Sequence, residues 1–367
     1  MSEFTKVESG ITVWGAGGHR MRDAGVEILA DATGGGTIGV LESLKVVPRL
    51  ALRYSLLKKE LLRRRPDLFV PIDYGAFNIP LARFAHQQGI RVVYYFPPSS
   101  WRRTARGAHR LRACGGRVVT PFPWSAEALA GEGLDARFVG HPLLDIAKPS
   151  CDKAQFAEEL ELSKSVPIIG LLPGSRTHEI SGHLRPMIGC ARILHRELGG
   201  AQFVVAAAHD ADALQRRIDK LASDTADAPA IRVVENRTYD CMAHSELLIT
   251  TSGTATLEAA IIGTPMVIVY RGSALLRFEF LFRKAVVENH IGLPNIIAGR
   301  RICPELIGGE VTGPKLAGAA LDLLRSKENT AEMKSSFAGI RDTLGEPGAV
   351  ERAARAVLEM GGLESKG

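Results

Sequence analysis

Two turns rich in glycine and hydroxyls follow apolar runs in this sequence. In Leu171-Leu172-Pro173-Gly174-Ser175-Arg176 the apolar run ends on a glycine turn with a hydroxyl and a guanidinium behind it. Open α/β sheets bind ligands at their carboxyl edge, where Arg176 is placed to grip a phosphate in two-pronged fashion. The same pattern also serves an ordinary strand-to-helix turn with a solvated arginine. In the second turn, Thr250-Thr251-Ser252-Gly253-Thr254-Ala255-Thr256-Leu257-Glu258, the run passes into a small, hydroxyl-rich loop that opens a helix. Free N–H groups and the helix dipole make such an opening an anion site. Thr254 and Glu258 are four apart and share a helix face, so the carboxylate stands about one turn beyond the anion. There it accepts both hydroxyls of a ribose, or is a surface charge on a capped helix.

Weaker signals lie elsewhere. Trp14-Gly15-Ala16-Gly17-Gly18-His19 reads as a glycine turn after a strand, but lacks the G-x-G-x-x-G spacing and a matched acid downstream. Asp73 follows the apolar run Leu68–Ile72, a position for a catalytic carboxylate in a crevice or for a helix cap. The ten histidines show no metal-binding pair, His141 among them reading as structural, and the five cysteines form no ligand spacing, so no metal is expected. Phe278, Phe280, Leu281 and Phe282, flanked by Arg277, Arg283 and Lys284, form either buried core or a surface for acyl chains or membrane.

The elements that must position these residues come in two series of short apolar runs with helical segments between them, the pattern of parallel strand-helix-strand sheets. The first series has strands expected at Ile11–Trp14, Leu68–Ile72, Val92–Phe96 and Val118–Thr120. A helix over about 44 to 64 turns Leu50, Tyr54, Leu57 and Leu61 inward and basic residues outward. The second series has strands expected at Ile168–Leu172, Phe203–Ala207, Ile231–Val234, Leu247–Thr250 and Met266–Tyr270. A polar, proline-containing stretch around Lys148-Pro149-Ser150 separates the two, and length alone suggests two domains for 367 residues.

The net charge of +6 is uneven: residues 1 to 150 hold 21 Lys+Arg against 13 Asp+Glu, and residues 45 to 117 hold 16 against 3. Such a field suits an anionic partner. No recognised nucleic-acid module accompanies it, so nucleic acid is not the expected partner. Odd, scattered cysteines indicate a reducing cytosolic compartment, and neither a secretory h-region nor a run of about 18 apolar residues is present.

Taken in order, several stretches resemble the lipid A disaccharide synthase family: Pro66-Asp67 to Asn78, Val93-Tyr94-Tyr95, Phe138-Val139-Gly140-His141-Pro142-Leu143, Leu172 to Arg176, Ser252 to Glu258, and Gly292-Leu293-Pro294-Asn295 to Arg300. They keep the family's order, and the resemblance extends over roughly residues 14 to 355. The resemblance implies the GT-B architecture, two Rossmann-like α/β domains at 1–155 and 156–345, with a helix at about 347 to 360 (residues 346–367) returning to the first. It implies that the second half binds a UDP-diacylglucosamine donor and the first a diacylglucosamine 1-phosphate acceptor. The product is a β-1,6-linked disaccharide, made by a cytoplasmic enzyme peripheral to the inner face of the membrane.

Around the diphosphate this places Gly174, Ser175, Arg176, Ser252, Gly253, Thr254, Ala255 and Thr256. Glu258 falls on the ribose and Asn295 lines the same cleft. Asp73, the one carboxylate left in the family-like acceptor motif, is the expected base, Arg176 the expected stabiliser of the departing diphosphate, and no cofactor is expected. Three departures lie in the acceptor half. The family opens with a strand and an acidic, serine- and glycine-containing loop that have no counterpart before Ile11, so either an interior strand is missing or the start is truncated. The family's second aspartate is Ala76 here, and its aromatic segment reads Pro97-Pro98-Ser99-Ser100-Trp101-Arg102-Arg103. A related UDP-N-acetylglucosamine transferase or epimerase, or a non-catalytic UDP-sugar- or lipid-binding relative, are the alternative readings.

Overall fold

The computed structural model describes residues 10–31, 40–222, 229–271 and 290–363. The chain divides into two units, Met1–Asp145 with Leu344–Gly367, and Ile146–Thr343. The first crossing therefore falls after Asp145, not at 155. Its cause is local: the Asp240 carboxylate accepts from Ser150 N (2.6 Å), Ser150 Oγ (2.7 Å) and Cys151 N (3.3 Å), which ties the linker to the second unit.

In the first unit β1 (Trp14–Gly17) pairs in parallel with β2 (Glu27–Asp31), and β3 (Leu68–Phe69) with β4 (Arg91–Val92). A third parallel sheet runs β5 (Tyr94–Tyr95), β6 (Arg117–Thr120), β7 (Asp135–Phe138). The glycine run at 14–17 is thus itself a strand rather than the turn after one, because pairing with β2 overrides its weak intrinsic preference. The helix Val40–Arg64 turns Leu57 and Leu61 into a core with Leu81, Ala85, Val92 and Val118. The helix Ala349–Gly361 lays Ala353, Val357 and Met360 on Val93, Val119 and Val139. Its start is fixed by Asp145, whose carboxylate accepts from Gly348 N and Val350 N at 2.5 and 2.9 Å.

Among the described residues β1 and β3 each have one sheet neighbour and one unpaired edge. A cavity of about 1130 Å³ lies between them, lined by Val13, Trp14, Leu61, Leu68, Val70 and Val357.

The second unit holds a continuous six-stranded sheet in the order β10-β9-β8-β11-β12-β13. The strands are β8 (Ile168–Leu172), β9 (Gln202–Ala207), β10 (Ile231–Glu235), β11 (Leu247–Thr251), β12 (Met266–Tyr270) and β13 (Glu305–Ile307), all parallel. Every residue of β8, β9 and β11 is buried, as a sheet covered on both faces by helices requires. Strand order reverses between β8 and β11, which makes the crevice at their carboxyl ends the topological switch point. Among the described residues no helix is long and apolar enough to cross a membrane.

Candidate active site

Register places the two glycine turns side by side. Thr250 of β11 lies opposite Leu172 of β8, and the Thr251 hydroxyl donates to Leu172 O at 3.2 Å. Beyond β11 the chain turns at Gly253, whose φ of +149° is closed to side-chain-bearing residues, and enters the helix Thr254–Ile262. Among the described residues the backbone N–H groups of Gly253, Thr254 and Ala255 have no hydrogen-bond partner. Three unsatisfied donors, with the helix dipole behind them, open at the switch point.

The hydroxyls of this loop divide the labour. Ser252 Oγ donates to Ile291 O at 2.6 Å, and Thr256 Oγ1 donates to Gly253 O at 2.7 Å while accepting from Leu293 N at 3.3 Å. Both protons are used to hold the loop, so among the expected contacts it is Gly253, Thr254 and Ala255 that present groups to an anion. Glu258 stands one turn further along. Burial pushes its carboxyl above the ordinary range, against a hydrogen bond from the Tyr239 hydroxyl at 3.2 Å. A carboxylate short of donors in such a place gains most from two sugar hydroxyls.

On the β8 side, Gly174 (φ +111°) leads into the helix Thr177–Glu197. Here the structure adds a residue that the turn pattern did not single out, Glu179. Its Oε2 accepts from Ser175 N (3.1 Å) and Arg176 N (3.2 Å), and its Oε1 from Arg176 Nη1 (2.8 Å). A glutamate at the third helical position is the acidic half of a capping box, and that spacing was the available signal.

Asn295 does not line a cleft. It is fully buried: Nδ2 donates to Cys303 O (2.9 Å) and Glu305 Oε1 (2.8 Å), and Oδ1 accepts from the N–H groups of Ile302 and Cys303. Glu305 in turn accepts from Ile291 N and Gly292 N. The pair shapes the segment whose Ile291 carbonyl anchors Ser252, so Asn295 acts on the loop from behind. Nothing in the sequence marked Glu305, because β13 is short and its run weakly apolar.

Asp73 sits in the first unit with its side chain exposed and its backbone strained. Both Asp73 (φ +45°) and Tyr74 (φ +39°) adopt left-handed conformations. Such pairs persist only where their surroundings over-determine them. Here Asp73 N donates to Tyr95 O (3.2 Å), and Asp73 O accepts from the Tyr94 hydroxyl (2.7 Å) and Asn78 Nδ2 (3.0 Å). Burial, with the Asp73 charge added, pushes the Tyr94 hydroxyl pKa up, so it stays a donor. His141 is buried against the rings of Phe96 and Phe122, and burial lowers it to about 4, which leaves it neutral in the core.

Among the described residues, Cys151, Asp240 and His244 bring three potential metal ligands within 4.8 Å of one another. Their acceptors are already engaged: Arg237 contacts Cys151 Sγ (2.9 Å) and Asp240 Oδ2 (2.5 Å), and His244 Nε2 meets Cys151 O at 2.8 Å. A fixed guanidinium takes the cation's place, and the cluster serves to pin the linker. The Phe278–Phe282 cluster lies outside the described residues.

The sequence profile of the family described as lipid-A-disaccharide synthetase matches residues 1–359. The lipid-A-disaccharide synthase of Syntrophus aciditrophicus is 36% identical over 361 residues, 97% of this chain and 92% of that protein. That of Trichlorobacter lovleyi is 36% identical over 349 residues, 95% and 89%. Among solved structures, a UDP-N-acetylglucosamine 2-epimerase of Listeria monocytogenes, so described provisionally, aligns with a TM-score of 0.64 at 15% identity, covering 98% of this chain and 92% of that one. The S. aureus MnaA–UDP structure aligns at 0.63 and 14%, covering 99% and 93%. These likenesses place the fold among the GT-B proteins. With the profile match and the relatives at 36%, the chain belongs to the lipid-A-disaccharide synthetase family, the glycosyltransferases that form the lipid A disaccharide.

Proposed function

We propose that the chain transfers the sugar of UDP-2,3-diacylglucosamine to 2,3-diacylglucosamine 1-phosphate, working as a peripheral enzyme at the inner face of the membrane. The observation that carries the donor assignment is the row of free N–H groups at Gly253, Thr254 and Ala255, at the switch point and one helical turn from Glu258. The diphosphate takes the N–H groups and Glu258 takes the ribose hydroxyls. Gly174, Ser175 and Arg176 close the other side of the diphosphate. Ser252 and Thr256 hold the loop.

In the chemical step an acceptor hydroxyl attacks the anomeric carbon with inversion. Asp73 accepts the hydroxyl proton, and the bond to UDP breaks as charge gathers on the diphosphate. Fixed donors aimed at that charge lower the barrier without reorganising, which is the part given to the helix N-terminus and Arg176. The acceptor unit is basic, and the helix Val40–Arg64 exposes Leu52 (72%) and Leu56 (38%) beside Arg49, Arg53 and Lys59. Apolar side chains among cations suit an anionic lipid surface.

Incubation with UDP-2,3-diacylglucosamine and 2,3-diacylglucosamine 1-phosphate, followed by mass spectrometry, tests the reading. A disaccharide 1-phosphate and free UDP are expected. UDP binding without any disaccharide would make the chain a non-catalytic relative and sink the proposal.

A further inference from the structure

Of the two loops proposed to hold the donor's diphosphate, the one at Gly174–Arg176 is already filled by the protein's own anion. Glu179 takes Ser175 N, Arg176 N and Arg176 Nη1, two backbone donors and a guanidinium arranged around one carboxylate. Gly174 is shaped to that carboxylate. A Cβ there would stand 2.6 Å from Glu179 Oε2 and 2.7 Å from Glu179 Cβ, and the residue's φ is +111°. A phosphate oxygen needs the same three donors, and two anions cannot share them at hydrogen-bond distance.

We propose that the Glu179 carboxylate is a resident stand-in for phosphate, and that donor binding exchanges it for the diphosphate. The proposal rests on the donor-site reading above. The exchange is sterically open. The Arg176 and Glu179 side chains are 39% and 19% exposed, and Ser175, Thr177 and His178 around them are exposed, so rotation about the side-chain torsions of Glu179 delivers its carboxylate to water. Nor does it leave the helix uncapped, since an anion at the N-terminus satisfies the N–H groups that the carboxylate gives up. Before binding, Glu179 keeps Arg176 and the loop in their receiving geometry. It also sets a threshold that a ligand without phosphate cannot cross.

The test is calorimetry with UDP and with uridine, which lacks phosphate. Glu179→Gln keeps an acceptor for the two N–H groups and removes the charge. It is expected to bind UDP about tenfold tighter, the scale of one charge-assisted contact released, with uridine affinity unchanged. Glu179→Asp, whose shorter acid cannot span all three donors, should shift UDP affinity the same way and covers the case in which the glutamine variant does not fold. Equal or weaker UDP binding in the folded variants would overturn the exchange and leave Glu179 as a fixed cap. Arg176→Ala and Glu258→Ala separate the two failures. If both weaken UDP binding while the Glu179 variants do not tighten it, only the exchange fails; if neither matters, or the wild type does not bind UDP, the donor-site reading falls and the exchange with it.

Discussion

Replacing Glu258 by alanine removes a carboxylate that the fold has buried without adequate compensation. Its one hydrogen bond among the described residues is the Tyr239 hydroxyl at 3.2 Å, and burial pushes its carboxyl up. In the ligand-free protein the charge is therefore a cost, so Glu258→Ala should melt at the same temperature as the wild type or slightly higher. In the complex the same carboxylate accepts the ribose hydroxyls, and a hydrogen bond to a charged group is worth about 1.5–3 kcal/mol. UDP affinity should fall about 10- to 150-fold, at about 1.4 kcal/mol for each factor of ten.

The pH dependence follows from the sign of the shift. The ionised form is the one that accepts both hydroxyls, so affinity falls as pH drops through the raised pKa of Glu258. That fall begins at a higher pH than an exposed carboxylate would give, and it is absent in Glu258→Ala. Titration calorimetry over a pH series from neutral into the acid range reads both effects. Unchanged UDP affinity in the variant would refute the placement of the ribose. A large loss of thermal stability would refute the claim that the carboxylate is undercompensated in the free protein.

Asp73→Asn should lower turnover by about 10²–10⁴-fold with UDP affinity nearly intact, as loss of a general base does; normal turnover would put the base elsewhere. Burial alone would raise the Asp240 carboxyl, but the Ser150 hydroxyl, Arg237 and the N–H groups of Ser150 and Cys151 overcome it and bring it to about 2. Its stabilising share is thus full above the ordinary aspartate pKa and lost as pH falls toward 2. Asp240→Ala, which leaves the N–H groups of Ser150 and Cys151 without their acceptor while Arg237 keeps its pair with Glu159 (2.5 Å), should cost about 1–3 kcal/mol in denaturant unfolding at pH 7. In sedimentation with vesicles containing anionic lipid, Leu52→Ser with Leu56→Ser should weaken binding at both low and high salt, whereas added salt alone should weaken the wild type through screening of its basic residues. Wild-type binding that ignores both would remove the helix Val40–Arg64 from the membrane contact.

Five of the six strands of the second unit are legible in the order of residues alone. Its central strands are buried on both faces, so each reads as an unbroken apolar run, and β8 and β12 fall where the runs fall. The strands with no such run, β2, β7 and β13, are edge strands among the described residues, where polar residues such as Glu27, Asp135 and Arg137 are tolerated. The two glycine turns were legible because a chain that must turn sharply and expose N–H groups has few residue types to choose from. Tertiary structure alone decided which groups remain available. Hydrogen bonds that no residue pattern announces commit Ser252 to Ile291, Asn295 to Cys303 and Glu305, and Ser150 and Cys151 to Asp240. Spacing records which groups lie on one face of an element. Whether a given hydroxyl, amide or guanidinium is free to meet a ligand depends on what the rest of the chain brings against it, and at Ser252 that is the carbonyl of Ile291.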